Sequence, residues 1–378
     1  MNSLTASLFW GSIALIIYVF IGYPLVLALW GSLRPRPWRR EPVEPTISIV
    51  IAAHNEVAHV TRKIANLLLL DYPRDRVEIL VGSDGSTDGT VQQLHTISDA
   101  RLRVFVFPQR RGKPAVLNTL VPKAHGEIVV FADVRQTFDS QVLRALTQSF
   151  ADRGVGAVTG ELVLARSEGP GAYWEYEKFV RSYECIVDST IVVTGAIYAI
   201  RKKLFQPIPP DTIVDDLLIP MRIARQGYRV VCERNARAYE SAAATGQEFK
   251  RKVRTLSGAF QLFARERWLF NPLRNRLWWQ TMSHKALRLL VAPLQLLVFA
   301  ANVMLARTSP LYQLLLLAQM LFYAGAIAGF ILPKHWKKPV AVTFPYIFCL
   351  LSWATVRAFL RWVTNRASVT WEKAASSV

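Results

Sequence analysis

Acidic residues and cysteines are scarce in this 378-residue chain, and charge is missing altogether from its first 33 positions. Lysine and arginine outnumber aspartate and glutamate by 46 to 27, a formal net charge of +19. In a soluble protein that excess points to nucleic acid. No zinc-finger spacing, RNA-binding aromatic motif or helix-turn-helix signal accompanies it, so nucleic acid is not an expected partner. Much of the basic charge lies beside apolar runs, where anionic lipid headgroups explain it better. The three cysteines, Cys185, Cys232 and Cys349, are dispersed without metal-ligand spacing. They read as three buried thiols of a reducing compartment. The six histidines form no metal cluster either. With 52% hydrophobic residues and a mean hydropathy of +0.21, the chain is too apolar for an ordinary soluble enzyme and too polar for an all-membrane transporter.

Uncharged runs organise the chain. Leu8 to Leu33 supplies the roughly 20 apolar residues of a transmembrane helix. The rival reading, a cleaved signal peptide, lacks a basic n-region and a small-x-small cleavage site. Arg34, Arg36, Arg39 and Arg40, with Trp38 at the interface, put the end of this span on the cytoplasmic side and the amino terminus outside. The expected organisation is a transmembrane helix over 1–33, a basic, proline-rich linker over 34–45 and a cytoplasmic α/β domain over 46–248. Amphipathic interfacial helices follow over 249–288, rich in arginine and aromatic residues. Transmembrane helices over 289–363 and a tail over 364–378 complete it. The last three uncharged runs are Leu289 to Ala306, Leu311 to Pro333 and Pro339 to Val356. Lys334, Lys337 and Lys338 mark the second junction as cytoplasmic. A full crossing by the third run leaves Arg357, Arg361, Arg366 and Lys373 outside, so that run is either partly re-entrant or an exception to the positive-inside rule.

Within 46–248, apolar strands alternate with helices. Strands are expected at Ile47 to Ala53, Val77 to Val81, Leu102 to Phe107, Ile128 to Ala132, Val155 to Leu164 and Gly195 to Ile200. Helices are expected at Asp88 to Thr96, Lys113 to Lys123 and Asp215 to Gln226. This alternation predicts an α/β fold with a mostly parallel sheet.

Polar groups gather where these strands end. Asp133 closes Ile128-Val129-Val130-Phe131-Ala132, at the carboxyl end where open α/β sheets bind ligands. Ile51-Ala52-Ala53-His54-Asn55-Glu56 offers polar partners after an apolar strand, with a plain helix cap by Asn55 as the bland alternative. In Ser83-Asp84-Gly85-Ser86, Asp84 can accept hydrogen bonds from a base or a ribose, or simply build a turn. In Arg110-Arg111-Gly112-Lys113, the lysine adds a point charge to a helix amino terminus suited to phosphate. Its alternative is a solvated surface lysine. Thr194-Gly195-Ala196 lets a ligand approach the backbone closely, or marks a glycine turn. Asp215 and Asp216 open a helix, where negative charge is favourable anyway. Paired carboxylates also raise one pKa by repulsion, which suits a general base.

Taken in order, these motifs resemble the membrane-embedded family 2 glycosyltransferases, the group of hyaluronan, chitin and cellulose synthases and many bacterial exopolysaccharide enzymes. The resemblance runs from Thr46 to about Gly258. It implies a GT-A-type nucleotide-diphospho-sugar transferase domain. Ala52, His54, Glu56 and Asp84 would hold the nucleoside, and Lys113, Asp133, Arg251 and Arg254 the diphosphate region. Thr194, Gly195 and Ala196 would lie under the acceptor, and Asp216, paired with Asp215, would be the base. Asp133 would hold Mg²⁺ or Mn²⁺. The chain departs from the pattern at three places. Ser83 stands where a first acidic residue is usual. Arg135 replaces the second metal-site aspartate, and either neutralises the diphosphate itself or pairs with Asp133. Arg251 and Thr255 replace the glutamine and tryptophan of the processive Gln-x-x-Arg-Trp motif.

The expected function is therefore inverting transfer from a nucleotide sugar, UDP-linked, to a glycan or lipid-linked acceptor. The setting is the bacterial inner membrane, with lipids and a homo-oligomer or export protein as further partners. Single-sugar transfer to polyprenyl phosphate is the near alternative. A weakly active nucleotide-sugar sensor or scaffold is the distant one.

Overall fold

The computed structural model describes residues 2–164, 171–240, 245–333 and 338–364. The chain begins with α1 (Asn2–Ile17), a π-helical turn (Tyr18–Gly22) and α2 (Tyr23–Leu33). An α/β stretch follows: β1 (Ile47–Ala53), α3 (Val57–Leu68), β2 (Val77–Asp84), α4 (Thr90–His95), β3 (Leu102–Phe107), α5 (Lys113–Lys123), β4 (Ile128–Ala132), β5 (Thr137–Phe138) and α6 (Val142–Gln148). It continues through β6 (Val155–Leu164), α7 (Gly171–Val187), β7 (Ile197–Arg201), α8 (Asp215–Arg225) and β8 (Arg229–Glu240). The remaining helices are α9 (Thr245–Arg265), the short α10 (Trp278–Gln280), α11 (Val291–Leu305), α12 (Pro310–Ile331) and α13 (Val340–Val363).

Two compact units divide these elements. One runs from Leu27 to Glu248 and includes Ala264–Gln280. Its sheet has eight strands in the order β3-β2-β1-β4-β7-β6-β8-β5. The half from β3 to β4 is parallel, and β7 runs antiparallel to both β4 and β6. Strand β1 is buried along its whole length, as a strand covered on both faces must be. Ile47, Ile49 and Ile51 point to one side with Val60, Ile64 and Leu67 of α3 in the same core cluster. Each of those isoleucines is at most 1% exposed, so each contributes about 1.5–3 kcal/mol of hydrophobic stabilisation.

The other unit comprises the described residues up to Val26, Phe249–Phe263 and the described residues from Thr281 on. Four helical stretches among the described residues are long and apolar enough to cross a membrane: Ser3–Leu33, Trp278–Leu305, Pro310–Ile331 and Val340–Val363. Phe9 of α1 packs with Val298, Ala301 and Leu305 of α11. Val253 of α9 packs on Ala354 and Ala358 of α13, and Ser257 Oγ donates to Ala358 O at 3.0 Å. Leu314, Leu317, Leu321 and Phe330 of α12 are exposed, as side chains meeting lipid tails should be.

Several expectations change here. The second candidate span begins at Trp278, inside the stretch expected to be interfacial, because a π-helical segment (Thr281–Ala286) and a 3₁₀ turn (Leu287–Leu290) continue it into α11. The third C-terminal run is one unbroken 24-residue helix that carries Arg357 and Arg361. It is long enough to cross, so length gives no support to a re-entrant loop. Lys334, Lys337, Arg366 and Lys373 lie outside the described residues. The expectation of three separate thiols is corrected as well. Cys185 of α7 and Cys232 of β8 form a disulfide with Cα atoms 6.0 Å apart, and only Cys349 is free.

The seam between β2 and α5 is tight. A Cβ at Gly82 would lie 2.4 Å from Val116 Cγ1. Gly82→Val should therefore cost about 1–3 kcal/mol through overpacking, read as a lower thermal midpoint of the detergent-purified chain. An unchanged midpoint would show that the seam gives way.

Candidate active site

The site forms where β1, β2 and β4 end together and α5 and α8 begin. At the end of β1, Asn55 adopts a left-handed backbone with φ of 54°. Its Oδ1 accepts from Thr87 N at 2.7 Å, and its own N–H donates to Ser86 Oγ at 3.1 Å. Asn55 thus ties β1 to the loop after β2 and does not cap α3, whose cap position is Glu56. His54 Nδ1 lies 2.6 Å from Asp84 O. Ala52, 9% exposed, lies opposite Gly82 in the parallel register.

Asp84 is fully buried. One carboxylate oxygen accepts from Arg111 N at 2.6 Å and the other from Gly112 N at 2.8 Å. Such charge-assisted bonds are strong. They pin the Arg110-Arg111-Gly112 loop against β2, and Gly85 makes that approach feasible. Its φ is +62°, and a Cβ there would lie 2.6 Å from Arg110 N. The loop in turn delivers Lys113, the first residue of α5.

Lys113 joins the two halves of the site. Its Nζ lies 3.0 Å from Asp133 Oδ1, beyond β4, and 3.6 Å from Asp215 Oδ2, at the start of α8. Burial opposes the charge on this ammonium. The carboxylates of Asp133, Asp215 and Asp216, with the hydrogen bond to Asp133, outweigh burial and hold its pKa above the ordinary lysine value. Strand pairing brings residues 194–196 alongside. β4 and β7 pair Ala132 with Ile197, which sets Asp133 beside Ala196. Thr194 is buried, with its N–H on Thr159 Oγ1 and its hydroxyl accepting from Arg181 Nη1, both at 2.8 Å. Gly195 leaves room for the Asp216 side chain, because a Cβ there would sit 3.3 Å from Asp216 Oδ2. Val193 N donates to Asp216 O at 3.0 Å, fixing that backbone.

Two buried oxygens in this crevice have no hydrogen bond among the described residues, Asp215 Oδ2 and the Tyr198 hydroxyl. Tyr198 stacks on Phe131 with ring centroids 4.5 Å apart. Burial, then the charges of Asp215, Asp216 and Asp133, push its pKa well up, so it stays a neutral donor. Buried polar atoms are rarely left without partners. An oxygen-rich ligand entering here would supply them.

Two family models match the chain. The glycosyl transferase family 2 model matches residues 48–208, and the glycosyl transferase family group 2 model matches residues 130–332, more than half of the chain. The chain belongs to glycosyltransferase family 2. It is 23% identical over 232 residues to the poly-beta-1,6-N-acetyl-D-glucosamine synthase of Staphylococcus aureus (strain COL), a match covering 58% of this chain and 56% of that protein. The chain thus spans about half the length of that relative. It is also 23% identical over 231 residues to glycosyltransferase AglE of Haloferax volcanii, covering 59% of this chain and 76% of that one. Among solved structures, it is similar in fold to a mannosyltransferase of Pyrobaculum calidifontis crystallised with GDP-Man and Mn²⁺. The TM-score is 0.74 at 23% identity, covering 95% of this chain and 99% of that one.

The family 2 donor set for a metal is thin in this chain. Arg135 turns away from Asp133, and its Nε donates to Glu56 Oε1 at 2.9 Å. Glu56 Oε2 faces His59 Nδ1 at 2.9 Å, so this nearly buried carboxylate is engaged on both oxygens. Among the described residues no group of three or more His, Cys, Asp or Glu side chains is placed to hold an ion. Of the two positions where the family pattern has metal-site aspartates, only 133 carries a carboxylate here, and Asp133 is 41% exposed. That donor set fits a hard ion such as Mg²⁺, which is commonly held by one or two carboxylates together with substrate phosphates. It does not fit an ion held by protein alone.

Arg251 and Arg254 sit on α9, within the other unit. The sequence reading passed over Lys63. This lysine is 2% exposed and donates to Gln136 O at 2.8 Å, with Nζ 3.4 Å from the centre of the Phe138 ring. The signal was its place on the apolar face of α3, three residues after Val60 and one before Ile64. Burial brings its pKa down from 10.5 to about 7, partly opposed by Asp133. The folded state therefore binds fewer protons than the unfolded chain between those values, and this group adds stability as pH rises from about 7 toward 10.5. Lys63→Met should flatten that slope in unfolding experiments across the interval. A variant with the parent's slope would remove Lys63 as its source.

Proposed function

We propose that this protein is an inverting glycosyltransferase that takes sugar from a uridine-linked nucleotide donor. It extends a glycan or lipid-linked acceptor at the inner membrane of a bacterium, as in exopolysaccharide or cell-envelope polysaccharide synthesis. The convergence of Lys113, Asp133, Asp215 and Asp216 carries this reading. It sets a cation for a diphosphate beside carboxylates able to take a proton. Family membership supports the transfer, and the GDP-Man complex of the mannosyltransferase of similar fold supports a nucleotide-sugar donor; the choice of uridine rests on the motif resemblance. The basic run from Arg34 to Arg40 supports a cytoplasmic sheet unit, and the four candidate spans among the described residues support a multi-pass protein.

The nucleoside lies over the ends of β1 and β2, against His54 and the loop that Asp84 and Asn55 hold in place. Asp84 acts through that loop, since both of its oxygens are occupied. Lys113 meets the diphosphate, and Arg251 and Arg254 are assigned to it by motif position. Arg135 braces Glu56 at the nucleoside end. Asp216 accepts the proton of the acceptor hydroxyl as that oxygen attacks C1 from the face opposite the leaving diphosphate. Asp215 helps to hold Lys113 in place. Thr194, Gly195 and Ala196 form the floor under the acceptor. Asp133 would hold Mg²⁺ or Mn²⁺ together with donor oxygens, and the ion would offset diphosphate charge.

Nucleoside diphosphate release tests this reading directly. The purified protein in native lipid extract should release nucleoside diphosphate from one donor of a panel of nucleotide sugars. Asp216→Asn should lose about 10²–10⁴-fold in turnover while donor binding, followed by calorimetry, persists. Equal turnover in variant and parent would remove the assignment of the base.

Lys113→Ala removes a charge-assisted contact of about 1.5–3 kcal/mol and should lower kcat/KM for the donor roughly 10–100-fold. A loss confined to acceptor kinetics would move Lys113 out of the donor site. Chelator should abolish release and added Mn²⁺ or Mg²⁺ restore it. Full turnover in chelator would exclude the ion at Asp133.

A further inference from the structure

The disulfide between Cys185 and Cys232 lies behind the acceptor floor, and its surroundings suit both of its redox states. We propose that this pair is a reversible redox site that sets the position of α7, and through it the acceptor segment at Thr194, so that the oxidised chain binds acceptor more tightly than the reduced one. The effect on transfer and the cytoplasmic setting rest on the proposed function. The geometry of the cysteine pair and the movement of α7 do not.

Three observations carry the inference. The first is location. Disulfides are uncommon in cytosolic proteins, and those that form there are usually catalytic or redox-sensing. The sheet unit is the part assigned to the cytoplasm. The second is chemistry. Cys185 is fully buried, whereas Cys232 is partly exposed and lines a small cavity with Lys178, Arg181, Arg234, Glu161 and Glu233. Cations outnumber carboxylates there, which favours the thiolate at the exposed sulfur. When the bond opens, each S–H finds a carbonyl within reach. Val230 O is 3.8 Å from the Cys185 sulfur, and Arg181 O is 3.5 Å from that of Cys232. Two further ties keep helix and strand together in the reduced form. Arg229 Nη2 donates to Cys185 O, and Arg234 Nη2 to Ser182 Oγ, both at 2.8 Å.

The third observation is connection to the site. One turn before Cys185, Arg181 lies over the Trp174 ring, 5.2 Å from its centroid, and donates to Thr194 Oγ1 at 2.8 Å. Thr194 precedes Gly195, whose Cα faces the Asp216 carboxylate. A shift of α7 on β8 therefore moves the residue beside the base. The reaction is a thiol–disulfide exchange. The Cys232 thiolate attacks a low-molecular-weight disulfide and expels one thiolate. Cys185, losing its proton, then attacks the mixed disulfide at the Cys232 sulfur and expels the second. The two cysteines lose two electrons and two protons, and the small disulfide becomes two thiols.

The test equilibrates the full-length protein in lipid with a graded ratio of reduced to oxidised glutathione. Acid quenching, denaturation and alkylation then count thiols by mass. Hydrogen exchange follows α7 and residues 189–196 in the same samples. Two of the three thiols should become protected together and reversibly, with Cys349 labelled throughout. Exchange in α7 and the Thr194 segment should slow on oxidation. Acceptor KM should fall on the order of fivefold or more, with donor KM unchanged. Cys232→Ser, and separately Cys185→Ser, should hold both readouts flat across the series. A bond that never forms, or that opens only when the protein unfolds, would overturn the proposal. So would exchange that ignores a bond shown to switch, or an acceptor KM that does not change with it. Absence of nucleoside diphosphate release from every donor would instead overturn the proposed function and leave the exchange data to decide the movement of α7.

Discussion

A single ammonium group sits where the two halves of the catalytic sheet meet. Lys113 reaches Asp133 beyond a parallel strand and Asp215 at the start of a helix that follows an antiparallel one. Without this cation, the carboxylates at positions 133, 215 and 216 would repel one another in a poorly hydrated crevice. With it they form an ordered cluster, and the ammonium stays charged despite its burial. Most of the surrounding architecture delivers Lys113 to that point. Asp84 gives up both of its oxygens to hold the loop before α5. Gly85 accepts a backbone geometry that other residues resist, so that this loop can lie close to β2. Arg135, drawn to Glu56, leaves Asp133 facing the lysine.

Sheet topology does the rest. The parallel half from β3 to β4 places successive strand ends along one edge, where a nucleotide can lie across them. Reversal of direction at β7 brings the small residues 194–196 beside Asp133. Asp133 and residues 194–196 thus become neighbours although about 60 residues separate them in the chain. The second unit has a different composition and a different logic. Its helices bury a narrow face and expose leucine and phenylalanine, a pattern stable only in a lipid surrounding.

Much of this was legible beforehand, for identifiable reasons. β1 and β4 are short, apolar apart from Ser48 and bounded by polar turns, so their strands were evident. α5 was found within its true limits because Gly112 and Lys113 mark its start and Pro122 lies at its end. β8 was missed. It carries Arg229, Glu233, Arg234 and Arg237 between its buried positions, and a strand so charged does not stand out by hydropathy. α7 was missed as well, because tyrosines, tryptophan and glutamates on one helix resemble a surface segment until its partners are known. Asp84 was recognised as important, but its role as a clamp on a backbone loop depends on two N–H groups 27 and 28 residues away.

Strand ends, helix starts, the order of the motifs and the apolar runs follow from local composition and spacing, and the sequence by itself determined them. The family follows from these, because the order of acidic and small residues along alternating strands and helices is a one-dimensional signature. Which charges meet was decided only by the tertiary structure. Arg135 might have faced Asp133 or solvent, and chain spacing does not distinguish these from Glu56. Cys185 and Cys232 are 47 residues apart, and only the packing of α7 on β8 brings them together. Lys63 looks like one exposed lysine among many until α3 docks on the sheet and buries it. Coulomb energy and desolvation depend on distance in space and on the surrounding dielectric, and both are set only once the chain has folded.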